Sequence, residues 1–350
     1  MLDLSADVVN VAAALVDIPS ESRHEQRIAD AVQQALEGCE HLEVIRVGNC
    51  VIARTDLGRD ERVVIGGHLD TVPAADNLPH RIADDNLYGL GANDMKGGVA
   101  VALRCAHEVT APARDVTYIF YDCEEIHDAA NGLRRLSESH PELLQADFAV
   151  LMEPSDAGVE AGCQGTLRAQ VRTSGERAHS ARSWLGDNAI HAAADILNRL
   201  LAYTPRQPVI DGLTYREGLN AVGIEGGVAG NVIPDACVVT VNYRYAPDRS
   251  PAEAQAHVNE VFAGYPVEVV DNSRGALPGL SHPAAQAFLA ATGAVPRPKF
   301  GWTDVSRFSA LGVPAVNFGP GDPSLAHTRG EYVPIEHLRR VETQMMEWLQ

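Results

Sequence analysis

Four short apolar runs dominate the pattern of this chain, and a segment rich in histidine and acidic residues directly follows each of them. The runs RVVI, VTYIFY, DFAVL and PAVNF precede GGHLDTVP (66–73), DCEE (122–125), MEP (152–154) and GPGDPSLAHT (319–328). Such continuous apolar strands are typical of a mainly parallel sheet that is covered on both faces. Ligands of open α/β sheets bind at the carboxyl ends of the strands. The four polar segments are therefore expected to converge at one sheet edge.

Helical and strand patterns alternate around these runs, as they do in α/β folds. Helical patterns occur near 5–17, 22–37, 96–109, 128–138, 282–292 and 335–349. Between 166 and 272 the order becomes strand, helix, strand, strand, helix, strand, which is the βαββαβ unit of a ferredoxin-like sandwich. We therefore predict a mixed, mainly parallel α/β domain formed by 1–165 and 276–350, with a ferredoxin-like domain inserted at 166–275.

Composition argues against several classes of partner and location. The chain has 28 Lys and Arg against 47 Asp and Glu, a formal charge of −19, so no nucleic-acid or anionic membrane partner is expected. No apolar run approaches the roughly 18 residues that span a bilayer. Asp3 and Asp7 stand where a signal peptide is basic. Six scattered cysteines without a CxxC pair predict reduced thiols and a cytoplasmic location.

The polar segments offer candidate metal ligands of two chemical kinds. Imidazole together with carboxylate suits zinc or a similar first-row ion, whereas oxygen ligands alone would suggest magnesium or calcium. Taken singly, each residue has an ordinary alternative as an N-cap, a first-turn or turn acid, or a solvated loop histidine. Their shared position favours one metal site, formed by His68, Asp94 in the glycine-rich turn GLGANDMKGG (89–98), Glu125, Glu153 and His327.

Two pairs of polar residues add candidates for catalysis. His68 and Asp70 are two apart in an extended segment, so their side chains leave the same face, and a carboxylate commonly orients a ligating imidazole. Glu124 and Glu125 are adjacent and point in different directions in an extended chain, so they can divide the roles of ligand and general base. The chain has no GxSxG motif, which argues against a serine hydrolase.

The segments HLDTVP, GANDMKGG, DCEE, MEP and LAHT, in this order and with these gaps, resemble the co-catalytic zinc peptidase and deacylase family. This family includes aminoacylases, acetylornithine deacetylase and glutamate carboxypeptidase, and it carries an inserted ferredoxin-like lid that serves in dimerisation. The resemblance implies that 1–165 and 276–350 are catalytic and that 166–275 is the lid. GCQGT (162–166) and HSARSWLGDNAIH (179–191) are most similar to the actinobacterial branch that removes succinate from succinyl-diaminopimelate in lysine biosynthesis.

The resemblance also implies a role for each metal ligand. Two zinc ions per subunit would be bridged by Asp94, and Co²⁺ or Mn²⁺ could replace zinc in one site. His68 and Glu153 would complete one site, and Glu125 and His327 would complete the other.

Further residues receive roles by the same resemblance. Glu124 would take a proton from the attacking water and deliver it to the leaving amine, and Asp70 would orient the histidine that precedes it by two residues. His179 from the lid of the partner subunit would stabilise the oxyanion in a homodimer. From the residues alone, His179 is equally well an exposed histidine of the lid.

Substrate carboxylates would be held by residues that match the positions used for this in the family. These are Arg244, Asn231 and Thr303, with Arg182 as a further candidate. A planar guanidinium suits bidentate recognition of a carboxylate. The residues alone leave a cross-strand charge on a solvated sheet face open for Arg244.

The expected activity is metal-dependent hydrolysis of an amide, with a small N-succinylated amino acid as the first expected substrate. N-acetylornithine, another N-acyl amino acid or a dipeptide are alternative substrates of the same site. A non-catalytic, metal-binding regulatory protein of the same fold is the alternative from a different class, and the presence of Glu124 argues against it.

Overall fold

The computed structural model describes residues 2–350. The strands are β1 (Glu43–Val47), β2 (Cys50–Arg54), β3 (Arg62–His68), β4 (Arg81–Ala83), β5 (Asn86–Tyr88), β6 (Asp115–Tyr121), β7 (Phe148–Leu151), β8 (Val159–Ala161), β9 (Gly165–Ser174), β10 (Ala178–His179), β11 (Val209–Ile210), β12 (Leu213–Thr214), β13 (Gly218–Gly226), β14 (Val232–Ile233), β15 (Ala236–Tyr245), β16 (Val267–Ser273), β17 (Arg297–Pro298), β18 (Ala315–Phe318) and β19 (Tyr332–Pro334).

The α-helices are α1 (Val8–Val16), α2 (Gln26–Glu37), α3 (Gly97–Glu108), α4 (Gly132–Ser139), α5 (Ala189–Leu201), α6 (Pro251–Val261), α7 (Pro283–Thr292), α8 (Val305–Ala310) and α9 (Ile335–Leu349). Short 3₁₀ helices lie at Asp128–Ala130, Pro141–Leu144, Ser180–Leu185 and Pro323–Leu325. Among residues 2–350, no helix combines the length and apolar character required to cross a membrane.

The largest sheet has the strand order β1-β2-β6-β3-β7-β18-β8-β17. Its central strands β6, β3, β7 and β18 run parallel to one another, whereas β2 and β8 pair with this group in the antiparallel direction. Every residue of β6, β7 and β18 is buried, as expected for strands that are covered on both faces. The predicted mixed, mainly parallel α/β fold is confirmed.

A second, antiparallel sheet has the order β13-β15-β9-β16. Together with α5 and α6 the chain order is βαββαβ, so the predicted ferredoxin-like insertion is confirmed. Burial alternates along β9 and β15. Alternation arises because one face packs against apolar helix residues such as Ala193, Ile196 and Val258, while the opposite face carries polar side chains.

The chain divides into two compact units. Unit 1 comprises Met1–Ala161, Pro278–Arg297 and Arg307–Gln350, and unit 2 comprises Gly162–Leu277 and Pro298–Ser306. Unit 2 extends the predicted insertion at 166–275 to 162–277 and also includes Pro298–Ser306. Hydrogen bonds within unit 2 explain the difference, since Gln164 N donates to the carbonyl of Lys299 and Trp302 Nε1 donates to that of Arg274.

Gly98 in the first turn of α3 fixes how closely this helix approaches the end of β7. A Cβ atom at Gly98 would lie 2.0 Å from the carbonyl oxygen of Met152. Only glycine permits this approach of two backbones. The turn before α3, which carries Asp94, is thereby held near the segment that carries Glu153.

Candidate metal centre

The parallel strands of unit 1 bring four candidate ligands to one edge of the large sheet. They are His68 at the end of β3, Glu125 after β6, Glu153 after β7 and His327 after β18. Gly66 of β3 pairs with Leu151 of β7, so His68 and Glu153 each lie two residues beyond this pair. The fifth candidate, Asp94, comes from the turn before α3 rather than from a strand end.

His68 is buried, and both of its ring nitrogens face an aspartate. Nδ1 lies 3.0 Å from the carbonyl oxygen of Asp70 and 3.5 Å from its Oδ1, and Nε2 lies 3.2 Å from Oδ1 of Asp94. Burial disfavours the charged ring, but the hydrogen bonds with the two aspartates raise the pKa of His68 well above its usual value. The ring is thus held between Asp70 at Nδ1 and Asp94 at Nε2, which is the arrangement expected of a histidine oriented by a neighbouring acid.

Asp94 lies between two histidines. Its Oδ1 is 3.2 Å from Nε2 of His68, and its Oδ2 is 3.6 Å from Nε2 of His327. The N-cap role is not adopted, because Lys96 holds the N-cap position of α3 and Asp94 has non-helical φ and ψ angles of −124° and 94°. One carboxylate that presents an oxygen to each of two imidazoles has the geometry of a bridge between two cations.

Glu125 belongs to the same cluster. Ligand atoms of His68, Asp94 and Glu125 all lie within 4.8 Å of one another. Oε2 of Glu125 also lies 2.9 Å from Nε2 of His327. This hydrogen bond raises the pKa of His327 to about 9, although the side chain is 52% exposed. Burial raises the pKa of Glu125. His327 is therefore hydrogen-bonded to a member of the cluster, although its ring remains half-exposed.

The chemistry of these side chains fits divalent first-row cations. Glu153 is buried, as a polar residue at the end of an apolar strand. Three carboxylates, those of Asp94, Glu125 and Glu153, lie at or near this sheet edge, and oxygen donors of this kind suit divalent cations. Two imidazoles beside them favour zinc over magnesium or calcium.

Asp70 also connects β3 to the segment that follows β6. Its fully buried carboxylate accepts the backbone N–H of Glu124 at 2.9 Å, the N–H of Glu125 at 3.1 Å and the hydroxyl of Ser22 at 2.7 Å. Burial alone would raise its pKa, but the hydrogen bonds from His68, Ser22 and Glu124 hold the pKa of Asp70 below its usual value. The carboxylate thus lies beside the ring of His68 and holds the loop that carries both glutamates.

Sequence reasoning missed two buried charged residues beside Asp94. Glu331 accepts the backbone N–H groups of Asn93 and Asp94, and Lys96 donates from Nζ to the carbonyl of Ile18. Burial raises the pKa of Glu331 to about 7, and burial lowers the pKa of Lys96 to about 7. The available signal was Lys96 within the GANDMKGG turn, whereas no local pattern marks Glu331 as buried.

Within unit 2, Arg244 and Thr303 lie at the start of β9. Arg244 on β15 pairs with Thr166, the second residue of β9. Thr303 is buried, and its carbonyl accepts a hydrogen bond from the thiol of Cys163, which lies just before β9. These two candidate substrate residues therefore belong to one end of the antiparallel sheet.

His179, Asn231 and Arg182 lie beyond the opposite end of β9. His179 pairs with Val232 in the two-stranded antiparallel sheet β10–β14, and Ser180 N donates to the carbonyl of Asn231 at 2.9 Å. Side chains of all three candidates are exposed.

The length of β9 separates these two groups. β9 runs from Gly165 to Ser174, so at 3.3 Å per residue its two ends lie about 30 Å apart. Within one copy of unit 2, His179 and Arg244 are too far apart to contact one small substrate together.

Metal removal is expected to destabilise the protein. Chelator-treated protein should gain thermal stability when Zn²⁺ is added, by about 2.7 kcal/mol when free metal exceeds the dissociation constant 100-fold. Thermal denaturation with and without added Zn²⁺ measures this shift. Asp94→Ala should lose most of the shift and Glu124→Gln should keep it. An equal shift in all three proteins would contradict the assignment of Asp94 as a ligand.

Comparison with known proteins is consistent with this geometry. The sequence profile of peptidase family M20/M25/M40 matches residues 64–349. A Mycobacterium tuberculosis protein with the provisional name succinyl-diaminopimelate desuccinylase DapE is 58% identical over 341 residues, 97% of this chain and 96% of that protein. The succinyl-diaminopimelate desuccinylase of Corynebacterium glutamicum is 48% identical over 359 residues, 99% of this chain and 97% of that enzyme.

Solved structures share the fold at low sequence identity. The crystal structure of aminopeptidase PepT from Bacillus cereus superimposes with a TM-score of 0.79 at 19% identity, covering 99% of this chain and 98% of that chain. At this identity the likeness extends to the fold alone. It includes both the large mixed sheet and the ferredoxin-like insertion, because nearly all of each chain is covered.

Proposed function

The chain belongs to peptidase family M20/M25/M40, and we propose that it hydrolyses N-succinyl-LL-2,6-diaminopimelate to succinate and LL-2,6-diaminopimelate. Metal-dependent amide hydrolysis is the activity of this family that the residues fit. The observation that carries the proposal is Asp94, which presents one oxygen to His68 and the other to His327. The substrate follows from the two desuccinylases that resemble this chain over nearly their whole length.

Two zinc ions per subunit are proposed as the cofactor, with Asp94 between them. His68 and Glu153 would hold one ion, and Glu125 and His327 would hold the other. Two cations a few ångströms apart repel each other, and a shared carboxylate offsets that repulsion. Either Co²⁺ or Mn²⁺ is a suitable replacement for zinc in one site, because both accept imidazole and carboxylate ligands.

Glu124 is proposed as the general base. When bound, the two ions increase the acidity of a water molecule and polarise the amide carbonyl. Glu124 takes the proton of the attacking water and transfers it to the leaving amine. Its backbone N–H is held by Asp70, so the position of the base is fixed relative to His68. Glu124 is half-buried, which leaves it accessible to a substrate.

Substrate recognition is proposed to use carboxylate-binding residues from both ends of unit 2. Arg244 and Thr303 at the start of β9 would bind one end of the substrate, and Asn231, His179 and Arg182 beyond its other end would contact the substrate from a second copy. Their separation within one copy supports this division. His179 would donate to the oxyanion that forms when the amide carbonyl is attacked.

A homodimer formed through unit 2 is therefore part of the proposal. β13 is an edge strand of the antiparallel sheet, and its Val222 and Ile224 side chains are exposed. Leu197 and Leu201 of α5 are exposed as well. An edge strand beside apolar side chains is suited to pairing with a second copy, which covers both.

The location proposed is the cytoplasm, where the reaction would serve lysine and diaminopimelate biosynthesis. All six cysteines are free and buried. Free thiols in this number are typical of a reducing compartment.

The test compares substrates on the zinc-loaded protein. N-succinyl-LL-2,6-diaminopimelate is expected to have a kcat/KM at least about 10²-fold above that of N-acetylornithine or a dipeptide, because carboxylate-binding groups are left unpaired by the other substrates. Release of free amine measures all three, and Glu124→Gln protein controls for contaminating hydrolases. A preference for N-acetylornithine would identify that compound as the substrate. No turnover by protein with two bound metals would favour a regulatory role.

A further inference from the structure

Glu331 connects two segments that carry candidate metal ligands. Its side chain is only 2% exposed, and Oε1 accepts the backbone N–H of Asn93 at 3.0 Å and that of Asp94 at 2.9 Å. Its own backbone carbonyl accepts the N–H of Gly89, and its N–H donates to the carbonyl of Thr328. The turn that carries Asp94 and the loop that carries His327 are thus joined through one glutamate.

The turn before α3 needs such an acceptor. Asp94 and Met95 have non-helical backbone angles, so the turn does not follow the regular helical hydrogen-bond pattern. Buried backbone N–H groups require a partner. Glu331 provides one oxygen for two consecutive N–H groups, which fixes the direction in which the Asp94 side chain leaves the backbone.

A lysine in the same turn compensates the charge of Glu331. Lys96 is almost completely buried, its Nζ donates to the carbonyl of Ile18, and its charge interacts favourably with that of Glu331. A buried carboxylate is tolerated when it has both hydrogen bonds and an opposite charge. Glu331 has both, so its carboxylate is stabilised in this buried position.

We propose that Glu331 is a positioning residue that holds Asp94 in the orientation needed to bridge two cations. The proposal rests on the metal centre described under the proposed function. Residues that support metal ligands typically contribute 10–100-fold to metal affinity or activity. Glu331 would act through the backbone of Asp94 and would not contact the metal itself.

Two conservative variants distinguish the effect of the position of the acceptor oxygen from the effect of the negative charge. Glu331→Gln keeps an acceptor oxygen at the same distance from the backbone but loses the charge. Glu331→Asp keeps the charge but withdraws the acceptor by about 1.5 Å, one C–C bond length. Positioning through hydrogen bonds predicts that Glu331→Gln retains Zn²⁺ affinity and kcat to within about threefold, and that Glu331→Asp and Glu331→Ala lose about 10–100-fold.

Asp115 provides a matched control. Asp115 is the first residue of β6, at the edge of the sheet opposite the candidate ligands, and it is 3% exposed. Its carboxylate accepts the backbone N–H groups of Leu57 and Arg59. Asp115→Ala removes the acceptor of two backbone donors in the same unit. It is expected to lower the melting temperature while leaving Zn²⁺ affinity unchanged.

The measurement is competition of each purified protein with a chromophoric chelator for Zn²⁺, together with the visible absorption spectrum of the Co²⁺-loaded protein. Glu331→Asp should change the spectrum, because the geometry around the bridging carboxylate changes, whereas Glu331→Gln should match wild type. Wild-type affinity and spectrum in Glu331→Asp would overturn the proposal, as would an equal loss in Glu331→Gln. Absence of Zn²⁺ binding by the wild-type protein would instead contradict the proposed function.

Discussion

Replacement of Glu124 by glutamine is expected to lower kcat by about 10²–10⁴-fold and to leave both metals bound. Glutamine has the same size as glutamate, but its amide cannot accept the proton of the attacking water. The contact that positions residue 124 is made by its backbone N–H with Asp70, so the substitution leaves this contact intact. Steady-state kinetics together with the metal content per subunit measure both parts of the expectation.

Glu125→Gln is the matched comparison for Glu124→Gln. The two residues are adjacent, and both donate a backbone N–H to Asp70, but only Glu125 has a ligand atom in the cluster with His68 and Asp94. The Glu125 variant should lose metal as well as turnover. Wild-type kcat in Glu124→Gln would exclude Glu124 as the base. Loss of metal in that variant would indicate that Glu124 is a metal ligand.

The large sheet could be predicted from the sequence because its central strands are buried on both faces. The runs that became β3, β6, β7 and β18 are nearly continuously apolar, and each is long enough to be distinguished from its surroundings. The small sheet β19-β5-β4 was not predicted. Its strands have three residues each, and β19 pairs with a strand more than 240 positions earlier, so no local pattern marks it.

Four of the five residues predicted as ligands, His68, Asp94, Glu125 and His327, lie together in the structure, but the way in which they are held could not be predicted. Residues such as His68 and His327 follow strong strands, and their position carries the prediction. The hydrogen bonds of Asp70 and Glu331 join segments that are remote in sequence, and each depends on the direction of a backbone N–H in an irregular turn. Periodicity contains no information about such bonds, because they follow from tertiary packing.

His179→Ala is expected to lower kcat by about 10²–10³-fold, because removal of one oxyanion donor typically has this effect. His179 is exposed, and it lies beyond the end of β9 opposite to Arg244. Zn²⁺ affinity should remain unchanged, because His179 is not among the candidate ligands. Thermal stability should fall by only about 1 kcal/mol, since the exposed side chain loses one N-cap hydrogen bond, which it accepts from Ala181 N. The KM and kcat of the purified variant test this expectation.

Heterodimers with two affinity tags determine which subunit provides His179. If it acts across the dimer, a Glu124→Ala chain paired with a His179→Ala chain retains one intact site of two, so about half of the wild-type activity is expected. The matched control pairs a wild-type chain with one that carries both substitutions, and it should be nearly inactive, because the intact Glu124 then faces the altered histidine. The reverse pattern, with an active control and an inactive mixed pair, would assign His179 to its own subunit. Both heterodimers contain the same two substitutions, and they differ only in whether these lie on one chain or on two. A difference in activity between them therefore shows whether Glu124 and His179 of one site come from the same subunit.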